Sequence, residues 1–343
     1  MILSGVKILK DTWLKRLLNH VYLSVLGVTL LVLIGLAIWT VLVASYDVSL
    51  TLEAAQFIVS LLIIALGLLN ALYHSEHLNI AAKEIDNGIF SYENENVNEV
   101  EEIKRHGVQQ ITIMSKIFTV YIIFSGISYL LFIPLKELIK PSSELERPIN
   151  KLLPLPLYMP FQTETCSTYM IAFAINIICM YCIIVLILSI DEVYISLIIQ
   201  IRIQFQILNQ SIANLNLRAI RRIKFQNLTK QQLDNEEFKR NVYICLKENI
   251  RHHLILLRFS ELVEPYLGTT FLIIVALSSL IIAATGYLTV QYNSTTEQLL
   301  KFCIVLLSEL LFVLHFCWFG EEVHTEIVSR SYTYLNLLRQ KKQ

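Results

Sequence analysis

Apolar residues crowd into six stretches, at about 21–45, 54–73, 110–134, 168–190, 265–289 and 299–319, and the segments between them carry most of the charge. A helix needs roughly 20 mostly apolar residues to cross a hydrocarbon core about 30 Å thick. The pattern therefore predicts an all-α polytopic membrane bundle with six full transmembrane helices over residues 21–319. The first stretch is too long for the apolar part of a signal peptide and has no convincing small-residue cleavage site, so it reads as a retained helix.

The connections differ in kind. Residues 191–264 are charged, yet Leu197, Ile201, Phe205, Leu208, Ile212 and Leu215 fall on one helical stripe, which predicts helical extensions of the fourth and fifth spans beyond the membrane. Such a stripe needs a partner, either neighbouring segments or other subunits. The third connection holds Pro141, Pro148, Pro154, Pro156 and Pro160 and reads as an extended, irregular cover that caps the bundle. Residues 87–102 are acidic and Asn-rich and read as a loop. The spans lack the paired Gly/Pro interruptions of transporters with broken helices.

Charge sets the orientation. Only 16% of the residues are charged and 55% are hydrophobic, against about 25% charged in ordinary soluble domains. The formal net charge is zero, so no global field attracts nucleic acid. Lys7, Lys10, Lys15 and Arg16 precede the first span, Lys83, Lys104 and Arg105 follow the second, and the first connection has no Lys or Arg. That bias places residues 1–20 and the segment 320–343 in the cytoplasm. The acceptor triplet Asn293-Ser294-Thr295 then falls outside, as glycosylation requires. A basic cluster, Arg218, Arg221, Arg222 and Lys224, reads equally as a contact for anionic lipid headgroups or as a solvated helix end.

No catalytic signature is present: the chain has no G-x-S-x-G, phosphate-binding Gly-rich loop or H-E-x-x-H. The expectation is a protein that is not an enzyme and needs no cofactor or metal. Cys179-x-x-Cys182 sits among apolar neighbours and reads as buried thiols, and His252-His253 as structural. Lys116, Asp191, Glu192 and Lys301 lie near span ends, where they are expected to snorkel. Glu309 differs, because it lies near the middle of the sixth span, where an ionisable group must face the bundle interior, a partner or water. Functional and structural readings of it both stand.

A candidate ligand wall lies in the outer half of the third span. Tyr121, Ser125, Ser128 and Phe132 share a helical face, with Phe124 and Tyr129 nearby; Tyr169, Phe173 and Tyr287 join from the outer parts of the fourth and fifth spans. An aromatic wall with a few hydroxyls suits a small, volatile, mostly hydrophobic ligand. Ordinary aromatic packing at the interface is the competing explanation.

The run Cys317-Trp318-Phe319-Gly320-Glu321-Glu322-Val323, closing the sixth span, resembles the signature that ends the corresponding helix of insect odorant receptors. Asn249 to Leu254 with Phe259-Ser260-Glu261 resembles the start of that family's fifth span, and Leu155-Pro156-Leu157-Tyr158-Met159-Pro160-Phe161 resembles its second outer loop. The string from Ser331 through Tyr332 and Tyr334 to Arg339 is similar to its extreme C-terminus. The resemblance implies a subunit in the plasma membrane of olfactory sensory neurons. Such a subunit binds a volatile odorant in the outer half of the bundle and joins a shared co-receptor in a tetrameric, non-selective cation channel. A seventh helix lines the pore in that family.

The chain departs from this pattern at one place. Between Glu322 and Ser331 roughly 50 residues of the family's pattern are absent, on a span-length estimate, and residues 327–338 make only about 18 Å of helix. The expectation is a bundle that folds and holds ligand but does not complete a pore. A gustatory receptor of the same superfamily and, further off, a G-protein-coupled receptor are the alternatives. The Cys-Trp-Phe-Gly ending and the Ser-Tyr-Thr-Tyr tail suit the olfactory branch better than the former, and the latter begins outside the cell.

Overall fold

Along the first helix Leu26, Leu30, Leu33 and Ala37 are buried, whereas Val25, Val28, Leu31, Val32 and Leu42 on its other sides are exposed. An apolar residue on every side of a helix, half of them uncovered, is the signature of a lipid-facing element. The same pattern recurs through the chain. In this computed structural model residues 13–43, 48–92, 97–139, 153, 155, 157–161, 165–225, 235–291, 299–300 and 302–321 are described. Lys7 and Lys10, most of the proline-rich connection, the triplet at Asn293 and the segment after Glu321, with Tyr332 and Tyr334, lie outside them.

The described helices are α1 (Trp13–Val43), α2 (Val48–Tyr73), α3 (Ser75–Asp86), α4 (Val97–Ile139), α5 (Cys166–Ala213), α6 (Leu215–Phe225) and α7 (Asn235–Gln291), followed by α8 (Phe302–Glu321). Six of them are long and apolar enough to cross a membrane, as the hydropathy pattern predicts. At 48 residues α5 is about 72 Å long, well over the roughly 30 Å of a hydrocarbon core, so much of it extends past the membrane. With 57 residues α7 does the same.

The chain divides into two compact units, and α4, α5, α7 and α8 contribute to both. The first contains α1, α2, the later part of α4, residues 153–161, the first part of α5, the second part of α7 and most of α8. Since lipid tails are as apolar as Leu, such helices associate through close packing and interhelical hydrogen bonds rather than through water exclusion. Ala37 and Ala54 are fully buried. Gly67 brings α2 so near α5 that a Cβ there would stand 2.8 Å from Ile190 Cδ1, and at Gly126 of α4 a Cβ would stand 2.7 Å from Ile184 Cδ1. Asn70 Nδ2 donates to Thr270 Oγ1 at 2.9 Å and Gln56 Nε2 to Thr285 Oγ1 at 3.0 Å, tying α2 to α7.

The described residues between 153 and 161 lie in no helix or strand, as expected, but they do more than cover. Leu153, Leu155, Leu157 and Met159 alternate inward and join the core of Leu33, Leu61, Ile64 and Leu186. Two polar side chains hold the backbone: Leu155 N–H donates to Asn176 Oδ1 at 2.9 Å and Tyr158 N–H to Thr40 Oγ1 at 2.7 Å.

The second unit contains α3, the start of α4, the later part of α5, α6 and the first part of α7. The predicted stripe Leu197, Ile201, Phe205, Leu208 and Ile212 is buried here, but so are Ile195, Ile199, Ile203 and Ile207, so α5 is covered on all sides rather than on one. The partners of the stripe are elements of the same chain. Residues 97–102 are helical, which corrects the expectation of a loop. The acidic side chains there have a use, since Glu99 Oε2 accepts from Asn214 Nδ2 at 3.0 Å beside the α5–α6 junction.

Arg218 is 1% exposed, which removes it from the expected lipid-contacting cluster. Its guanidinium donates to Ser211 Oγ, to Asn249 Oδ1 at 2.9 Å and to Glu248 Oε2 at 2.5 Å, and lies 4.3 Å over the Tyr92 ring. Arg222 also donates to Glu248, at 2.9 Å. The fork geometry of arginine makes such a multiply bonded burial possible where lysine would leave donors misplaced.

The approach of Tyr92 depends on how α3 ends. Gly88 takes φ +87°, Gly88 N–H donates to Ile85 O at 3.0 Å and Ile89 N–H to Glu84 O at 2.9 Å, a Schellman ending that reverses the chain. Phe90 then stacks on His252 with centroids 4.6 Å apart, Tyr92 Oη lies 2.7 Å from His252 Nδ1, and His252 Nε2 lies 3.2 Å from Gln204 Oε1. His252 is structural, as expected.

Candidate ligand-binding site

A helix that must shed its polar groups inward, with lipid around it, collects them where helices leave space. On α2, Glu53, Gln56 and Ser60 stand at i, i+3 and i+7 and share a face; on α8, Phe302, Val305, Glu309 and Phe312 do the same. All of them border one cavity of about 230 Å³ in the first unit, which Tyr121, Ser125 and Gly126 of α4, Ile183 and Ile187 of α5, Ile281 of α7 and Leu155 complete. That volume lies below the roughly 300–1,000 Å³ of pockets for drug-sized ligands, which restricts it to small ones.

The wall is apolar with a few placed polar atoms. Ser125 Oγ and Ser308 Oγ are 3.1 Å apart, joining α4 to α8 across the cavity rim. Tyr121 Oη and Glu309 Oε2 are buried and have no hydrogen-bond partner. Ser278 of α7 neighbours the Glu309 carboxyl, and its own Oγ is likewise buried and unbonded. Most buried polar groups in folded proteins are satisfied, so this concentration marks the cavity as a place where a ligand atom is expected.

The structure brings Tyr121, Ser125 and Glu309 to this cavity, and Phe124, Ser128, Tyr169, Phe173 and Tyr287 are not among its lining residues. Phe124 is 70% exposed and Tyr287 52%. Ser128 is half-buried on α4. Tyr169 and Phe173 stack on each other with centroids 6.2 Å apart, and Tyr169 packs on the core that holds residues 153–159. Tyr129 and Phe132 belong to α4, but their side chains lie outside those described. Gln56, Ser60, Ser308 and Leu155 were missed. The spacing of the polar residues in the second span carried the signal for the first two.

Asp191 corrects a further expectation. Rather than snorkelling, it is 2% exposed, because α5 continues through this point. His315 of α8 meets it with Nε2 to Oδ1 at 2.9 Å, and the His315 ring stacks on Phe118 at 4.1 Å. In the signature run, Phe319 is buried, Trp318 is 61% exposed, Cys317 is exposed and Gly320 half-buried. Among the described residues no three His, Cys, Asp or Glu side chains are placed to hold a metal ion.

The family model described as 7tm odorant receptor matches residues 52–332. No curated protein sequence matches the chain. Among solved structures, the insect olfactory receptor OR5 from Machilis hrabei in complex with eugenol is similar with a TM-score of 0.69 and 14% identity, covering 95% of this chain and 78% of the receptor. The same receptor without that description of a complex gives a TM-score of 0.69 and 14% identity, over 96% of this chain and 79% of the receptor. At that identity the likeness speaks for a shared fold. The sequence match over most of the chain speaks for descent, and together with six spans long enough to cross a bilayer it makes this a multi-pass membrane protein that belongs to the 7tm odorant receptor family.

Proposed function

We propose that the chain is the ligand-selective subunit of an odorant-gated cation channel and that its ligand, a small volatile hydrophobic molecule, occupies the cavity among α2, α4, α5, α7 and α8. The observation that carries this reading is the cavity itself, with its isoleucine and phenylalanine wall interrupted by Tyr121, Ser125, Ser308 and Glu309. The related receptor described with eugenol supports it by analogy of fold. Calorimetric binding of a panel of small odorants to the purified, detergent-solubilised chain tests it. Ile183→Trp, which places an indole in the cavity, is expected to weaken every binder by at least about tenfold, since overfilling excludes the ligand. Unchanged binding in that variant would remove the cavity from the mechanism.

The amino terminus is cytoplasmic in this reading, on the strength of the Lys/Arg asymmetry, and the subunit joins a co-receptor in the plasma membrane of olfactory sensory neurons. The short interval between Glu322 and Ser331 supports a subunit that holds ligand without completing a pore. Voltage-clamp recording of cells that express this chain with the co-receptor is then expected to show no odorant-evoked current above that of the co-receptor alone. A robust odorant-gated current would refute the pore-deficient part of the proposal and leave the binding part standing.

A further inference from the structure

A carboxylate in a wall of isoleucine and phenylalanine has to be accounted for. A carboxyl group is costly to hold inside a bilayer without a partner, and ionised it offers about four acceptor positions. In Glu309, Oε2 is buried and takes no hydrogen bond. A hydroxyl turning in from Ser278 would fill one acceptor position at most and supply no charge. His315, a basic residue six positions along α8, is engaged with Asp191. Among the described residues no lysine, arginine or histidine lines the cavity. Tyr121 Oη, buried and without a hydrogen-bond partner, stands beside the same space. The missing complement is therefore a hydrogen-bond donor with positive charge, small enough for about 230 Å³ and otherwise apolar.

We propose that the cavity selects a short-chain alkyl amine, whose ammonium group donates to the Glu309 carboxylate while its hydrocarbon tail lies along Ile183, Ile187 and Phe312. This deepens the reading of the cavity as the odorant site and rests on it. Charge-assisted hydrogen bonds are about twice as strong as neutral ones, and a buried carboxylate rewards the donor that neutralises it. The order of preference is therefore amine over alcohol, alcohol over ether or hydrocarbon, with carboxylic acids last because they meet like charge. Tyr121, with an oxygen that accepts, takes a second N–H. The faces of Phe302 and Phe312 further favour a cation.

The test compares 1-hexylamine with 1-hexanol on the detergent-solubilised full chain by titration calorimetry at neutral pH. The amine is expected to bind at least about tenfold tighter than the alcohol, the size of a charge-assisted bond. Glu309→Gln should erase that preference, cutting amine affinity about tenfold or more and moving the alcohol by less than about threefold. Glu309→Asp, which keeps the charge, should retain most of it, and so should Ser278→Ala. Equal affinities of the two ligands in the parent chain overturn the inference without any variant, and so does a preference that survives Glu309→Gln. In either case a loss of alcohol binding in Ile183→Trp still upholds the cavity as the odorant site, whereas persistence of all binding in Ile183→Trp overturns the site and the inference together.

Discussion

His315 Nε2 of α8 lies 2.9 Å from Asp191 Oδ1 of α5, joining two helices whose residues here are 124 positions apart in sequence. Asp191 is 2% exposed. Each partner removes the cost of burying the other, so the two should act as a unit. Asp191→Ala and His315→Ala are each expected to lower stability, and the double variant should cost less than their sum by about 1–3 kcal/mol. Thermal unfolding in detergent of the four proteins gives this coupling, and a value near zero would mean that the contact is incidental.

Arg218 makes a second, sharper case because its surroundings differ from those of its neighbour on the same helix. With three side-chain acceptors and a ring around a guanidinium that is 1% exposed, Arg218→Ala should cost on the order of 3 kcal/mol. Arg222, 19% exposed and bonded to Glu248, should cost about 1 kcal/mol or less when replaced by Ala. Arg218→Lys should fall near the alanine variant, since an ammonium cannot reproduce the fork. Denaturation midpoints rank the three.

Asn176 connects stability with ligand affinity. It is fully buried, its Oδ1 receives Leu155 N–H, and its Nδ2 donates to Ala172 O at 2.9 Å. Asn176→Leu keeps the branched outline but leaves that N–H unbonded, at about 1–3 kcal/mol. Leu155 borders the cavity, so the same variant should weaken binding of 1-hexanol several-fold. Thr40→Val, which removes the bond to Tyr158 N–H, should reduce stability with a smaller effect on binding.

Gly67 allows a graded test of helix approach. The atom nearest a new Cβ is Ile190 Cδ1, the movable end of a side chain. Gly67→Ala should therefore stay within about 1 kcal/mol of the parent, the gain in helix propensity offsetting the contact. Gly67→Leu has nowhere to go and should cost about 1–3 kcal/mol. Pairing it with Ile190→Ala should return part of that loss.

The spans were legible because a bilayer demands continuous apolar length, a property each segment shows by itself. Glu309 was legible for the same reason, as a charge where none is cheap. Pairings were not: nothing near Asp191 in sequence points to His315, and a charged residue close to an apolar run looks like a span end until α5 is seen to continue past it. Arg218 misled in the same manner, since a cluster of basic residues on one short helix does not say which of them turns inward. In the cavity, Tyr121 and Ser125 were found from the spacing on α4. Phe124 was drawn in by aromatic type, although one step along a helix turns a side chain by about 100°, and it faces outward.

Leu153, Leu155, Leu157 and Met159 all turn inward and join one core. The backbone is pinned at two points, Leu155 N–H on Asn176 and Tyr158 N–H on Thr40, so the number of residues between the pins is fixed. This stretch should therefore tolerate exchange of one residue for another far better than any change in its length. A single codon gained or lost between 155 and 158 would shift Leu157 and Met159 from their places in the core and pull Tyr158 N–H away from Thr40. Among related sequences, variation here should come as substitutions, with insertions and deletions displaced to the flanks.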